Sequence, residues 1–134
     1  LSASTPDNYD VTYTPPYNFN QLGADIDGTS SGDQFGQSVA VNKAGDILAV
    51  GAQYDDPSGS NSGEVTVYKW DGTTWIQYGN AIAGESAEDR FGWDVALNAA
   101  GDRLVVGAIY NDAGGYNSGQ VRVYAYDSGV WGFN

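Results

Sequence analysis

Short runs of valine, alanine, leucine and tyrosine alternate along this chain with clusters of glycine, asparagine and aspartate, and the clusters return about every ten residues. Residues 35–42 (FGQSVAVN), 47–53 (ILAVGAQ), 64–70 (EVTVYKW) and 74–79 (TWIQYG) each predict a strand. Lys43-Ala44-Gly45-Asp46 is short enough for a tight hairpin in which glycine takes positive φ, and Asp71-Gly72 is a hairpin turn signal. No segment keeps the 3.6-residue apolar period over the length of a helix. Three successive hairpins make a four-stranded antiparallel meander, and the class is all-β.

The pattern is written twice. DQFGQSVAVNKAGDILAVGA (33–52) returns as DRFGWDVALNAAGDRLVVGA (89–108), and a shift of 56 positions aligns residues 21–76 with 77–132 without a gap. The identical positions include Gly28/Gly84, Asp33/Asp89, Phe35/Phe91, Gly51/Gly107, Tyr68/Tyr124 and Trp75/Trp131. Phe19 stands in register with Trp75 and Gln21 with Gln77, so the chain opens on the tail of a unit. The expected organisation is an extended segment over 1–18, a first unit over 19–76 and a second over 77–134. The prolines of 1–18 do not fit inside a ladder. Its DVTYT stretch suits either a leader or an edge strand added to another chain, and its Ser/Thr/Pro mixture suits O-linked sugars.

A repeat of roughly 40 to 60 residues with four antiparallel strands is the pattern of a propeller blade, each face of which is covered by a neighbour. SVAVN and LAVGA, small and apolar on both sides, suit such double burial, and Gly36 and Gly92 leave room for a neighbouring backbone. FG at 35 and 91, VGA at 50–52 and 106–108, then SGEVTVY and SGQVRVY, resemble the FG-GAP repeat, the blade unit of the integrin α-subunit propeller and of many bacterial and algal surface proteins. The likeness spans 19–132. It implies two four-stranded antiparallel β-propeller blades, completed by oligomerisation or by a longer parent chain. Integrin-type blades typically hold calcium in an Asp-x-Asp-x-Asp-Gly-x-x-Asp loop between their first two strands. Here NKAGD and NAAGD offer one aspartate each, Asp46 or Asp102, so the resemblance does not carry that site over.

Composition narrows the chemistry. The 134 residues suffice for one ordinary core, and 41% hydrophobic and 13% aromatic content belongs to a folded chain. Seventeen acidic residues against 5 basic give a net charge of -12, which repels nucleic acid and anionic membrane surfaces and favours solubility. No run approaches the roughly 18 apolar residues of a membrane helix, so no membrane span is expected. Cysteine, histidine and methionine are absent, which removes thiolate nucleophiles, imidazole metal sites and Ser-His-Asp arrangements. No enzyme is expected. Leu1 is not a translation start, and removal of a secretory signal is the favoured origin, placing the chain outside the cell or at its surface.

Two sets of residues are candidates for binding. Asp55, Asp56 and Asn61 in one glycine-rich loop, and Asn111, Asp112 and Asn117 in the other, either cap their own turns or, helped by backbone carbonyls and water, hold a cation such as calcium. Beyond that calcium, no cofactor is expected. Tyr54, Tyr110, Tyr116 and Trp93 suit a sugar-stacking surface; Tyr116 and Trp93 replace Ser60 and Gln37 of the first unit. Asp33 and Asp89 form a carboxylate pair on paper, but they recur with the repeat, whereas a catalytic pair is needed once.

Two blades do not close a ring, and each leaves a face in need of cover. Identical chains associating head to tail supply it, giving a ring if the rotation closes and a filament if it does not. The sequence thus reads as a secreted or cell-surface structural module that assembles non-covalently with itself. The alternative is a ligand-binding propeller, a lectin or adhesin, that takes carbohydrate or a cell-surface protein on its loops.

Overall fold

Val39, Ala40 and Val41 lie opposite Val50, Ala49 and Leu48, and the side chain of Asn42 makes the turn that brings them there. Its Oδ1 accepts the amides of Asp46 and Ile47 at 3.0 and 2.9 Å, and its Nδ2 donates to Asp46 Oδ1 at 2.9 Å. Gly45 completes the turn with φ +76°, a conformation that costs a residue with a Cβ. Asn98, Asp102 and Gly101 repeat the same bonds and the same φ.

The computed structural model describes residues 20–133; the extended segment expected over 1–18 lies outside them. Its strands are β1 (Ser38–Val41), β2 (Ile47–Ala52), β3 (Glu64–Trp70), β4 (Trp75–Gln77), β5 (Ile82–Ala83), β6 (Phe91–Leu97), β7 (Arg103–Ala108), β8 (Gln120–Asp127) and β9 (Val130–Gly132). They form two antiparallel sheets, β1-β2-β3-β4 with β5 also on β3, and β6-β7-β8-β9. The described residues contain no helix. The all-β, two-meander architecture is the one the hairpin signals predict.

Two details differ from the sequence expectation. The first inner strand begins at Ser38 rather than Phe35, whereas β6 begins at Phe91 because the preceding blade holds it there: the Phe91 amide donates to the Ser62 carbonyl at 3.0 Å, and Gly63 bridges it in parallel. The outer strand of the first sheet is split. β4 pairs with Tyr68–Trp70, the chain bulges through Gly79 (φ +85°), and β5 rejoins the same partner strand at Glu64 and Val65. The first sheet therefore extends past the 76/77 repeat boundary to Ala83.

The sheets stack. Register puts Ser38, Gly51 and Val65, and Ala40, Ala49 and Val67, on one face of the first sheet. Val95 and Val106, with Leu97, Leu104 and Tyr124, share one face of the second. A single apolar cluster joins these two faces, reaching Ile47, Ile82, Phe91 and Trp131. At its centre the backbones almost touch: Ser38 Oγ donates to the Gly92 carbonyl at 2.7 Å, and a Cβ at Gly51 would run into that same oxygen. Glycine is required at 51 by this close approach.

Candidate functional site

Duplication makes the surface legible, because every position in one sheet has a counterpart in the other. Ala49, Val65 and Val67 are 0% exposed beneath the second sheet. Their counterparts Val105, Val121 and Val123 are 37%, 67% and 55% exposed. On the opposite faces Val95 is 7% exposed and its counterpart Val39 is 61%. Among the described residues there is one filled contact between blades, and on the two outer sides positions equivalent to those of that contact stand exposed. The outer positions are not identical to the internal ones: Asp94 and Arg103 stand in the open face where Ser38 and Ile47 stand in the covered one.

The outer end of the first blade is already covered. Trp75 donates its indole N–H to the Leu22 carbonyl at 3.0 Å, as Trp131 does to the Tyr78 carbonyl at 2.8 Å one repeat later. Gly23 passes Trp70 and Trp75 where Gly79 passes Trp131 and Tyr126, too close in both places for a Cβ. The segment from Leu22 therefore does for the first blade what the segment from Tyr78 does for the second.

The loop carboxylates close their own turns. Asp56 Oδ1 accepts the Asn61 amide at 2.7 Å and Asp112 Oδ1 the Asn117 amide at 2.6 Å, while Asp55 and Asn111 accept from Asp56 and Ala113. Among the described residues no three acidic side chains come together in an arrangement that holds a metal ion. The family's calcium loop does not fit the β1–β2 turn, where Asn42 and Asp46 spend their oxygens on each other and on the backbone.

The two loops nevertheless differ in one pair. In the second blade Asn111 Nδ2 donates to Asp89 Oδ2 at 2.8 Å, with both residues 3% exposed, and also to Glu85. In the first blade the counterparts are two carboxylates, Asp33 and Asp55, which line a cavity of about 160 Å³ with Glu64 and Asp27. Loss of water and the charges of Asp55 and Asp56 push the Asp33 carboxyl above its usual range, against a hydrogen bond from Ser30. Loss of water, then Asp55 and Asp33, does the same to Glu64. In the second blade, by contrast, Arg122 at 2.6 Å and Asn111 hold Glu85 below its usual range.

Of the aromatic candidates, Tyr54 and Tyr110 come together around a residue the sequence reading passed over. The Arg90 guanidinium lies 4.4 Å from the Tyr54 ring centroid and 5.4 Å from that of Tyr110, and its Nη1 donates to Tyr54 Oη at 3.2 Å. Tyr110, Tyr116, Glu88 and Arg90 line a cleft of about 490 Å³ with Ala87, Asp112 and Asn117. Trp93, at the bulge that opens β6, is not part of its lining. The signal for Arg90 was present as a departure from the repeat, Gln34 becoming Arg90 and Gly32 becoming Glu88.

Two four-stranded meanders that stack face to face, the outer strand of the first continuing into a segment that packs on the second, define a pair of β-propeller blades. The sequence model of the FG-GAP repeat matches residues 25–68 and 75–124, and the chain belongs to the FG-GAP repeat family. No match is found among curated proteins.

Proposed function

We propose that this β-propeller module works as a self-assembling structural unit outside the cell, one chain's second blade receiving the first blade of the next. The observation that carries the reading is the exposure of Val105, Val121 and Val123 on one side and of Val39 and Val41 on the other, at positions whose counterparts meet inside the molecule, while Val50, Ala52 and Thr66 on that second side are already covered. Fully burying an exposed valine contributes about 1.5–3 kcal/mol, so five that are roughly half exposed contribute about 4–8 kcal/mol, at the low end of the roughly 4–15 kcal/mol that association costs. The contact between chains is also weaker than the contact within one. Where Ser38 donates to the Gly92 carbonyl, the carboxylate of Asp94 only accepts, and the counterpart of Gly92 is the equally carbonyl-bearing Gly36. Assembly is therefore expected to be reversible by dilution. Extracellular placement is supported by the integrin use of FG-GAP blades. Sedimentation velocity tests the reading: average mass rises with concentration between about 1 and 100 µM, and Val121→Lys holds the chain at 14.1 kDa. A wild-type chain that stays folded and monomeric across that range overturns it.

A further inference from the structure

Three of the places where the second unit departs from the first fall together on the loop rim. Gly32 becomes Glu88, Gln34 becomes Arg90 and Ser60 becomes Tyr116, while Tyr54/Tyr110, Asp56/Asp112 and Asn61/Asn117 are kept. All three departures line the one cleft of about 490 Å³ between residues 87–90 and 110–117. The first sheet forms without them; Glu88 and Arg90 also reach Asn61 and Tyr54 of the first blade, whereas the Tyr116 ring is left to solvent.

Their geometry is held from several sides. Glu88 has φ +68° at the position where the first unit uses glycine at +88°, so a side chain is kept where the backbone disfavours one. Its carboxylate accepts from Asn61 Nδ2 at 3.1 and 3.3 Å and lies 3.5 Å from Arg90 Nη2. Arg90 is fixed in turn by the Tyr54 hydroxyl and by the two tyrosine rings. Tyr116 is 89% exposed, yet it stands on a loop closed by bonds from Gly115 to the Asp112 carbonyl at 2.9 Å and from Asn117 to Asp112 Oδ1. A large ring is thus displayed to solvent by a loop that has its own internal bonds.

We propose that this cleft binds a neutral pyranose, the C–H face of the sugar lying on Tyr116. Hydroxyl groups both donate and accept, and the cleft is lined by both complements: the carboxylates of Glu88 and Asp112 accept, while the Arg90 guanidinium and the side-chain amide of Asn117 donate. An anion meets the two carboxylates. A cation finds the slot between Tyr54 and Tyr110 already filled by Arg90. Aromatic platform, acceptors and donors together are the combination a sugar uses and a simple ion does not. The site lies on the loop rim of one chain and does not depend on the assembly of several.

Saturation-transfer difference NMR of the full chain with the methyl glycosides of glucose, galactose, mannose and N-acetylglucosamine tests the proposal, since it reads sugar protons on monomer and assembly alike. At least one glycoside is expected to show saturable transfer, strongest on the protons of one ring face. Tyr116→Ser restores the residue of the first unit and should weaken binding about tenfold. Glu88→Gly restores Gly32 and should also weaken it, while the melting temperature stays or rises because the backbone strain is released. The proposal fails if none of the four glycosides gives saturable transfer at about 50 mM, or if the transfer survives both substitutions in chains that remain folded. Sulfate or methylammonium displacing the sugar at low millimolar concentration would equally overturn it in favour of an ion site.

Discussion

Val65 and Val121 occupy the same place in the repeat, each on the third strand of its sheet, and meet opposite environments: 0% exposed in one case and 67% in the other. The residue is the same, and the neighbours that differ, Glu64/Gln120 and Thr66/Arg122, lie on the other face of each sheet. What differs is the sheet stacked above. Burial in this fold is assigned by the next blade rather than by the strand itself, so the covered face serves as a measured standard for what the open face lacks.

A charge breaks the comparison most sharply. Val65→Lys places an ammonium in a fully buried site and is expected to cost more than about 4 kcal/mol, enough to unfold the chain. Val121→Lys should leave the circular dichroism spectrum and melting temperature of the dilute chain nearly unchanged. Equal losses from the two substitutions would show that the face of the second sheet is covered after all.

Glycine gives the next largest contrast. A Cβ at Gly51 meets the Gly92 carbonyl, whereas at Gly107 the nearest atom beyond its neighbours is the Asp94 carbonyl oxygen at 3.9 Å. Gly51→Ala is expected to cost about 3 kcal/mol by forcing the sheets apart, and Gly107→Ala within about 0.5 kcal/mol, as read from urea midpoints. Size measurement on Gly107→Ala then sharpens the assembly reading, because the new methyl group should hinder a second chain while sparing the fold.

The smallest effect concerns the carboxylates. Asn111→Asp replaces the donor to Asp89 with a like charge and should cost about 2 kcal/mol at pH 7. Asp55→Asn is the reverse change in the first blade and should stabilise, by less, because Asp33 is only half buried and solvent screens it. The pH dependence follows from the raised carboxyls of Asp33 and Glu64, whose usual values are 3.8 and 4.5. The folded chain retains protons that the unfolded chain has already released, so stability falls as pH rises through and above that range. The gain from Asp55→Asn should therefore be seen in thermal melts at pH 7 and fade toward pH 3. A gain equal at both values would show that charge is not its source.

The fold was legible because its instructions are local and repeated. Asn42, Gly45 and Asp46 set one hairpin with bonds inside six residues, and Asn98, Gly101 and Asp102 write the same turn again. The split between β4 and β5 was hidden, because Gly79 bulges to pass Trp131, a residue of the other sheet. The candidate site was legible in part. Tyr110 and Tyr116 do line one cleft, but Arg90 and Glu88 join it through contacts with Tyr54 and Asn61 of the other blade, which no local pattern in the sequence encodes. The contrast between Asp33 with Asp55 and Asp89 with Asn111 turns on one atom of one side chain and shows its meaning only in three dimensions.

The indole bonds from Trp75 to Leu22 and from Trp131 to Tyr78 have a consequence for how the chain comes apart. The second blade is pinned at its rim by Tyr78, which lies between β4 and β5 of the first sheet. A blade therefore does not melt as a private event: loosening one withdraws the clasp from its successor, and the energetics become those of a row of linked elements coupled to their nearest neighbours. In such a row the cooperative unit is the seam between blades, and stability grows with the number of seams rather than with the number of residues.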